Sequence, residues 1–226
     1  MNNPPDREAR EKLHGSSYVR EFSNGSQKRR VERLLAHASL PPSAHILDIG
    51  CGIGLLAELL DGRYATYTGV DFSNEMVEAA RHNNDNRSNR QFHCTDAASF
   101  LSSKADEYDA IFLLDISEHV PDDEWAKIVM LARPALTATG KVYLHTPNLE
   151  FFVELLKHHN WLRQFPEHIA VRSSHENRAF FERSGYSSVK VKSLPHYNVL
   201  RCLHPLSSLP IIGKHLTARL WIAAQK

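Results

Sequence analysis

The 226-residue sequence predicts an α/β fold in which a parallel sheet carries helices on both faces. Strand-like and helix-like runs alternate from Ala44 to about Leu136, as in a sheet wound with crossover helices. The run Ala110-Ile111-Phe112-Leu113-Leu114 is apolar at every position, as in a strand covered on both faces. The first strand ends in glycines just ahead of a helix, the junction at which such sheets bind ligands.

Residues 1–40 read as two polar-to-amphipathic helices closed by Pro41-Pro42, a helical cap ahead of a domain over 41–226. Strands are expected at Ala44–Gly50, Thr66–Phe72, Gln91–Ala97 and Tyr108–Ile116. Between them fall a helix at Leu55–Leu60 and one capped by Ser73-Asn74 that carries Met76, Val77 and Ala80; a third, Asp122–Leu136, follows. A fifth strand, Lys141–Thr146, is stopped by Pro147. The rhythm then breaks. Residues 148–174 are long, aromatic and histidine-rich, and lead to a helix at His175–Ser184 ended by Gly185. Two late strands, near Ser187–Leu194 and Arg219–Ala224, flank a Pro- and Leu-containing excursion over 195–217. Both long segments are expected to cover a substrate, as insertions at strand ends commonly do.

Lys+Arg 27 against Asp+Glu 26 leaves a net charge of +1, which disfavours a nucleic-acid partner because phosphate neutralisation dominates that affinity. The one dense basic cluster, Lys28-Arg29-Arg30 with Arg33, has helical spacing beside Val31, Leu34 and Leu35. It reads either as a solvated helix face or as a contact to an anionic substrate. Cys51, Cys94 and Cys202 are scattered, so neither a disulfide framework nor a thiolate zinc site is indicated. A polar N-terminus and the lack of any apolar run near the roughly 20 residues of a membrane span predict a cytoplasmic protein.

The strongest local signal is Ile46-Leu47-Asp48-Ile49-Gly50-Cys51-Gly52-Ile53-Gly54-Leu55-Leu56. Alternate glycines let the chain turn tightly and let a ligand lie against the main chain, and the helix N-terminus offers N–H groups to an anion. The dinucleotide fingerprint fails, because Leu55 stands where its third glycine belongs. Asp48 would be an awkward neighbour for pyrophosphate but suits a zwitterion carrying an ammonium group. Asp71, ending the second strand, can accept both ribose hydroxyls. Asp96, ending the third, can accept from an adenine amino group.

With Gly69-Val70-Asp71, Thr95-Asp96-Ala97 and the fourth-strand segment, that loop resembles the class I S-adenosylmethionine-dependent methyltransferases from about Ser43 onward. The resemblance implies a seven-stranded, mostly parallel sheet with its last strand antiparallel, and S-adenosylmethionine as cofactor. It implies that Asp48 and Gly50, in a loop with Gly52 and Gly54, lie near the methionine moiety. Asp71 would bind ribose, Phe72 and Met76 would flank adenine, and Asp96 and Ala97 would hold its edge. Asp115, at the tip of the fourth strand, joins the cofactor-binding set.

Asp115-Ile116-Ser117-Glu118-His119 follows that fourth strand. If the chain turns helically there, Asp115, Glu118 and His119 project to one side as a mixed oxygen/nitrogen set for a divalent metal, or as a base relay. The turn is similar to the acidic-x-x-Glu-His turn of ubiquinone-pathway O-methyltransferases and small-RNA 2′-O-methyltransferases, where it supplies metal ligands. Those families usually carry Glu where Asp115 stands. The stretch Thr146–Phe151 and Phe180-Phe181 also look like theirs, which makes His168 the candidate fourth ligand beside Asp115, Glu118 and His119. Related small-molecule enzymes use a similar turn without metal, so His119 and Glu118 are equally candidates for catalysis. His145, on the fifth strand, would face the acceptor. His158-His159 reads as a solvated pair. Tyr18 and Phe22 would roof the pocket or pack in the core.

These features predict an O-methyltransferase for a small phenolic, quinone-like or sugar-like hydroxyl. The acceptor would lie between the N-terminal helices, the 115–119 turn and the 148–174 segment. Two alternatives stay open: an RNA ribose 2′-O-methyltransferase, and a cofactor-binding but catalytically silent regulatory subunit.

Overall fold

A computed structural model describes residues 25–85, 87–197 and 199–226. The first expected N-terminal helix, with Tyr18 and Phe22, lies outside them. The strands are β1 (Ala44–Ile49), β2 (Tyr64–Asp71), β3 (Arg90–Cys94), β4 (Tyr108–Leu114), β5 (Leu136–Pro147), β6 (Ser188–Leu194) and β7 (Arg219–Gln225). They form one sheet in the order β3-β2-β1-β4-β5-β7-β6. Pairing is parallel from β3 through β5, and β7 runs antiparallel to both β5 and β6. The expected architecture, a mostly parallel seven-stranded sheet with its last strand reversed, is what the chain adopts.

Alternation along each strand builds two cores. Ile46, Phe112, Tyr143 and Trp221 face one side of the sheet, whereas Leu47, Ile111, Val142 and Ile222 face the other. Helices α1 (Gly25–Leu35), α2 (Leu55–Leu59) and α3 (Asn74–Asn83) cover the first side through Val31, Leu34, Leu56, Ala57, Val77 and Ala80. On the second side, α5 (Asp122–Ala135) and α7 (Ser174–Arg183) seat Trp125, Ile128 and Phe181, with α4 (Ala97–Leu101) adding Leu101. Each such large side chain, fully buried, contributes roughly 1.5–3 kcal/mol.

The largest departures from the expected boundaries are at β3 and β5. Gln91–Ala97 is not strand throughout: β3 stops at Cys94, and Asp96 caps the unforeseen α4 by accepting from the Ser99 N–H at 2.8 Å. β5 starts at Leu136, directly behind α5, because Leu136 already pairs with Tyr108 before the register shifts to Ala110–Lys141. The 148–174 segment contains α6 (Phe152–His158), and 195–217 holds two 3₁₀ helices, Val199–Ser208 and Gly213–Leu216. Among the described residues no helix is long and apolar enough to cross a membrane.

The strand order reverses beside β1, since the chain runs outward through β2 and β3 and then returns to β4. The crevice at the C-terminal tips of β1 and β4 is therefore the topological switch point, where open α/β sheets bind ligands.

Candidate active site

A cavity of about 540 Å³ opens at that switch point, a size suited to a cofactor or small substrate. Gly50 and Gly52 border it at the tip of β1. Gly50 has φ 74°, and a Cβ there would stand 2.2 Å from Ile116 Cγ2, so only glycine lets the loop lie this close to the β4 turn. The Gly52 N–H donates to Asp71 Oδ2 at 3.0 Å, and the Ser73 N–H donates to Asp71 Oδ1 at 2.9 Å. Asp71 is thus fixed at the cavity edge beside Phe72 and Met76, with Asp96 and Ala97 next along the β3 side. Asp115 and His119 form the β4 side, with Glu167 and Ile169 arching over from the 148–174 segment.

Two residues expected at the cofactor are not on this wall. Strand alternation turns Asp48 to the face opposite Ile49, where it is buried and accepts from the Tyr67 hydroxyl at 2.5 Å. Gly54 caps α2 at φ 77°, and its role is close packing, since a Cβ there would meet Asn84 Nδ2 at 2.6 Å.

Burial, partly opposed by the Tyr67 hydrogen bond and reinforced by the Asp71 charge, pushes the Asp48 carboxyl up to about 7. A raised carboxyl stabilises the fold below its unfolded value near 3.8 and loses that contribution as pH rises towards 7, on the order of 4 kcal/mol. An amide in place of this carboxyl would escape the loss but bury an extra donor, at a cost of about 1–3 kcal/mol. Asp48→Asn is therefore expected to be about 1–3 kcal/mol more stable at pH 8 and, with the carboxyl's loss gone, about 1–3 kcal/mol less stable near pH 4, the sign reversing between. Thermal denaturation across that range measures it, and a variant less stable at pH 8 would sink the assignment.

The helical spacing expected at the fourth-strand turn does not form, because Asp115 adopts φ 55° and only Ser117–His119 is a short 3₁₀ helix. The three side chains consequently part. Asp115 turns towards Arg30 Nη1 at 2.5 Å, His145 Nδ1 at 2.8 Å and Arg219 Nη1 at 3.7 Å. Burial would raise its carboxyl, but Arg30, then His145 and Arg219, hold it well below the ordinary carboxylate range. The Tyr197 ring packs against both guanidinium groups, its centroid 5.5 Å from Arg30 Cζ and 5.4 Å from Arg219 Cζ, with its hydroxyl 2.6 Å from His145 Nε2. His145 is fully buried in this knot and does not border the cavity, contrary to the expectation that it faces the acceptor.

Glu118 points inward, where its carboxyl accepts from Thr146 Oγ1 at 3.2 Å and Ser117 Oγ at 3.5 Å. Burial and the nearby Asp115 charge push it up to about 8. His119 does border the cavity, and its Nδ1 lies 2.8 Å from the Glu167 carbonyl. A carbonyl only accepts, so Nδ1 carries the hydrogen and Nε2 the lone pair. Burial lowers the His119 pKa, which leaves the ring neutral at pH 7. His168 meets it edge-on at 5.1 Å, and Glu118, His119 and His168 each bring a ligand-type atom within 4.8 Å of the others. Of the four residues expected to hold a metal, Asp115 stands apart, committed to Arg30, His145 and Arg219, and the other three come together.

The stretch after α6 holds this turn in place. Ile169 and Ala170 N–H groups donate to the Glu118 carbonyl at 2.9 and 3.0 Å. Arg172, buried against Trp125 and Phe180, donates to the Ser117 carbonyl at 2.6 Å and the Val120 carbonyl at 2.8 Å. Arg172, Arg219 and Tyr197 carry no sequence signal, being single residues in stretches without a motif. Arg30 is visible in the sequence only as one of four clustered cations.

A glycine loop, acidic strand tips and a cavity at the switch point define a Rossmann-like, cofactor-binding α/β enzyme. Residues 20–191 match the family model described as a methyltransferase domain, and the chain belongs to that family, among the class I S-adenosylmethionine-dependent methyltransferases. It is similar to the ubiquinone biosynthesis O-methyltransferase of Coxiella burnetii, at 33% identity over 108 residues, 47% of this chain and 45% of the relative. The enzyme of the same name from Hydrogenovibrio crunogenus is 33% identical over 112 residues, 49% and 46% of the respective chains. The chain spans about half the length of the curated relatives it matches. Its fold is shared with an Archaeoglobus fulgidus SAM-dependent methyltransferase (TM-score 0.69, 18% identity, 92% and 98% coverage). It is also shared with a Haloferax volcanii structure described as a complex of a methyltransferase with the Trm112 methyltransferase activator (TM-score 0.73, 17% identity, 98% and 99% coverage).

Proposed function

We propose that the chain transfers the methyl group of S-adenosylmethionine to a hydroxyl of a small molecule. The observation that carries this is a single cavity joining the Asp71 and Asp96 carboxylates to the wall that holds His119. In this reading Asp71 takes the ribose hydroxyls, Phe72 and Met76 flank the adenine, Asp96 and Ala97 meet its edge, and the Gly50–Gly52 backbone admits the methionine end. Bound there, the cofactor supplies a methyl group already activated by its sulfonium charge. The protein's work is to hold the acceptor in line, exclude water and remove the hydroxyl proton. His119 Nε2 accepts that proton, while the Glu167 carbonyl fixes the tautomer and receives the Nδ1–H of the imidazolium. The naming of the matched relatives as O-methyltransferases supports a hydroxyl acceptor.

Isothermal titration with S-adenosylmethionine is expected to show one saturable site, and phenolic or quinol acceptors to release S-adenosylhomocysteine. Absence of cofactor binding would overturn the reading. Binding without product from any acceptor would favour the silent regulatory subunit.

A second reading rests on the Glu118–His119–His168 grouping, in which the buried His168 Nδ1 has no hydrogen-bond partner among the described residues. These residues fit a divalent cation, which when bound lowers the pKa of a hydroxyl. Turnover unchanged by chelation supports His119 acting alone; turnover lost with chelation and restored by metal supports the cation.

A further inference from the structure

Eight of the nine large apolar side chains that stand exposed among the described residues fall in two short segments. Trp161, Leu162 and Phe165 occupy one, and five between Val199 and Ile212 occupy the other. Both segments are tied to the stretch around α6. Trp161 and Leu162 N–H groups donate to the Leu156 carbonyl, while His215 Nδ1 lies 2.8 Å from the Glu150 carbonyl and His196 packs by Phe151. Ile211 is 87% exposed at φ 67°, a backbone conformation that β-branched residues avoid. Little of its side chain is covered by the chain itself, so packing within the protein does not offset that strain. Charge follows the same surface. Residues 195–217 contain Arg201, Lys214 and three histidines but no Asp or Glu, and no acidic residue follows Glu182. Arg163 stands exposed between Trp161 and Phe165.

Exposed Trp, Phe and Ile on short loops, interleaved with cations of one sign, is the composition that settles at the boundary of lipid headgroups and acyl chains. We propose that the 161–165 and 199–212 segments form a surface that docks on an anionic lipid bilayer. Their apolar side chains enter the interface, and Arg163 and Arg201 face the lipid phosphates, while Lys214 is held by Glu150 at 3.1 Å. A protein partner is the less suited occupant, because the 195–217 stretch offers cations and no carboxylate of its own, a pattern complementary to a uniformly anionic surface. This surface lies outside the cofactor cavity, and the inference holds whichever acceptor the enzyme uses.

Trp161 reports directly, since Trp125 and Trp221, the other two tryptophans, are buried. Full-length protein mixed with vesicles of equimolar phosphatidylglycerol and phosphatidylcholine is expected to show blue-shifted emission and at least tenfold more co-sedimentation than with phosphatidylcholine alone. The double variant Ile211→Asn/Ile212→Ser should lose at least tenfold of that partition at an unchanged melting temperature, because asparagine tolerates φ 67°. Three results would overturn the proposal: no response to anionic vesicles, equal binding to neutral ones, or undiminished binding by the variant. A dimer that shields Trp161 in analytical ultracentrifugation would also overturn it, assigning the surface to a second copy.

Discussion

Arg30→Met is expected to cost about 3–5 kcal/mol of stability, a fall of roughly 10 °C in melting temperature for a chain of this size. The loss comes less from the missing ion pair than from what it leaves behind. Asp115 stays buried at the tip of β4, with only the more distant Arg219 guanidinium and a neutral His145 for company. The companion double variant, Arg30→Met/Asp115→Asn, should recover a substantial part, because the amide removes the stranded charge and asparagine accepts the φ of 55°. Equal instability of the single and double variants would show that Arg30 acts through packing alone. The sign with pH follows from the direction of the shift. A carboxyl held below its ordinary value stabilises the fold above that value and loses the contribution on acidification. The gap between wild type and Arg30→Met should therefore close as pH falls below about 4.

His119→Ala is expected to lower turnover by about 10²–10⁴-fold, the usual worth of a positioned general base, while cofactor affinity stays within about twofold. Stopped assays with a responsive acceptor measure the first, and calorimetry the second. Added imidazole should restore part of the lost rate if the missing group is a proton acceptor. Undiminished turnover would remove His119 from the chemistry. Turnover lost together with cofactor binding would make it a cofactor contact instead.

Much of the fold is legible in the sequence because its signals are local and periodic. Ala110–Leu114 has the unbroken apolar run of a central strand, and Ile46/Leu47 alternation sends neighbours into opposite cores. The glycine loop is legible because φ near 74° at Gly50 and the contact with Ile116 leave no other residue a place. Side-chain direction at strand ends is not. The motif places Asp48 at the ligand, yet a one-residue step decides which face a strand residue takes, and Tyr67 draws it under the sheet. Spacing alone gives Asp115, Glu118 and His119 a shared helical face, and one left-handed residue separates them. Tyr197 and Arg219 cannot be found from sequence, since their meaning depends on His145, 52 positions before the first, and on Asp115, far upstream of the second.

The carboxylate at position 115 has a mechanical consequence. Helix α1 reaches it through Arg30, the sheet through His145 and Arg219, and the segment over 195–217 through the Tyr197 ring packed on both guanidinium groups. Displacing α1 strands an anion; displacing the 195–217 segment takes an aromatic ring away from two cations. Neither element can move at its own private cost, so a substitution that loosens one is expected to loosen the other through the shared carboxylate.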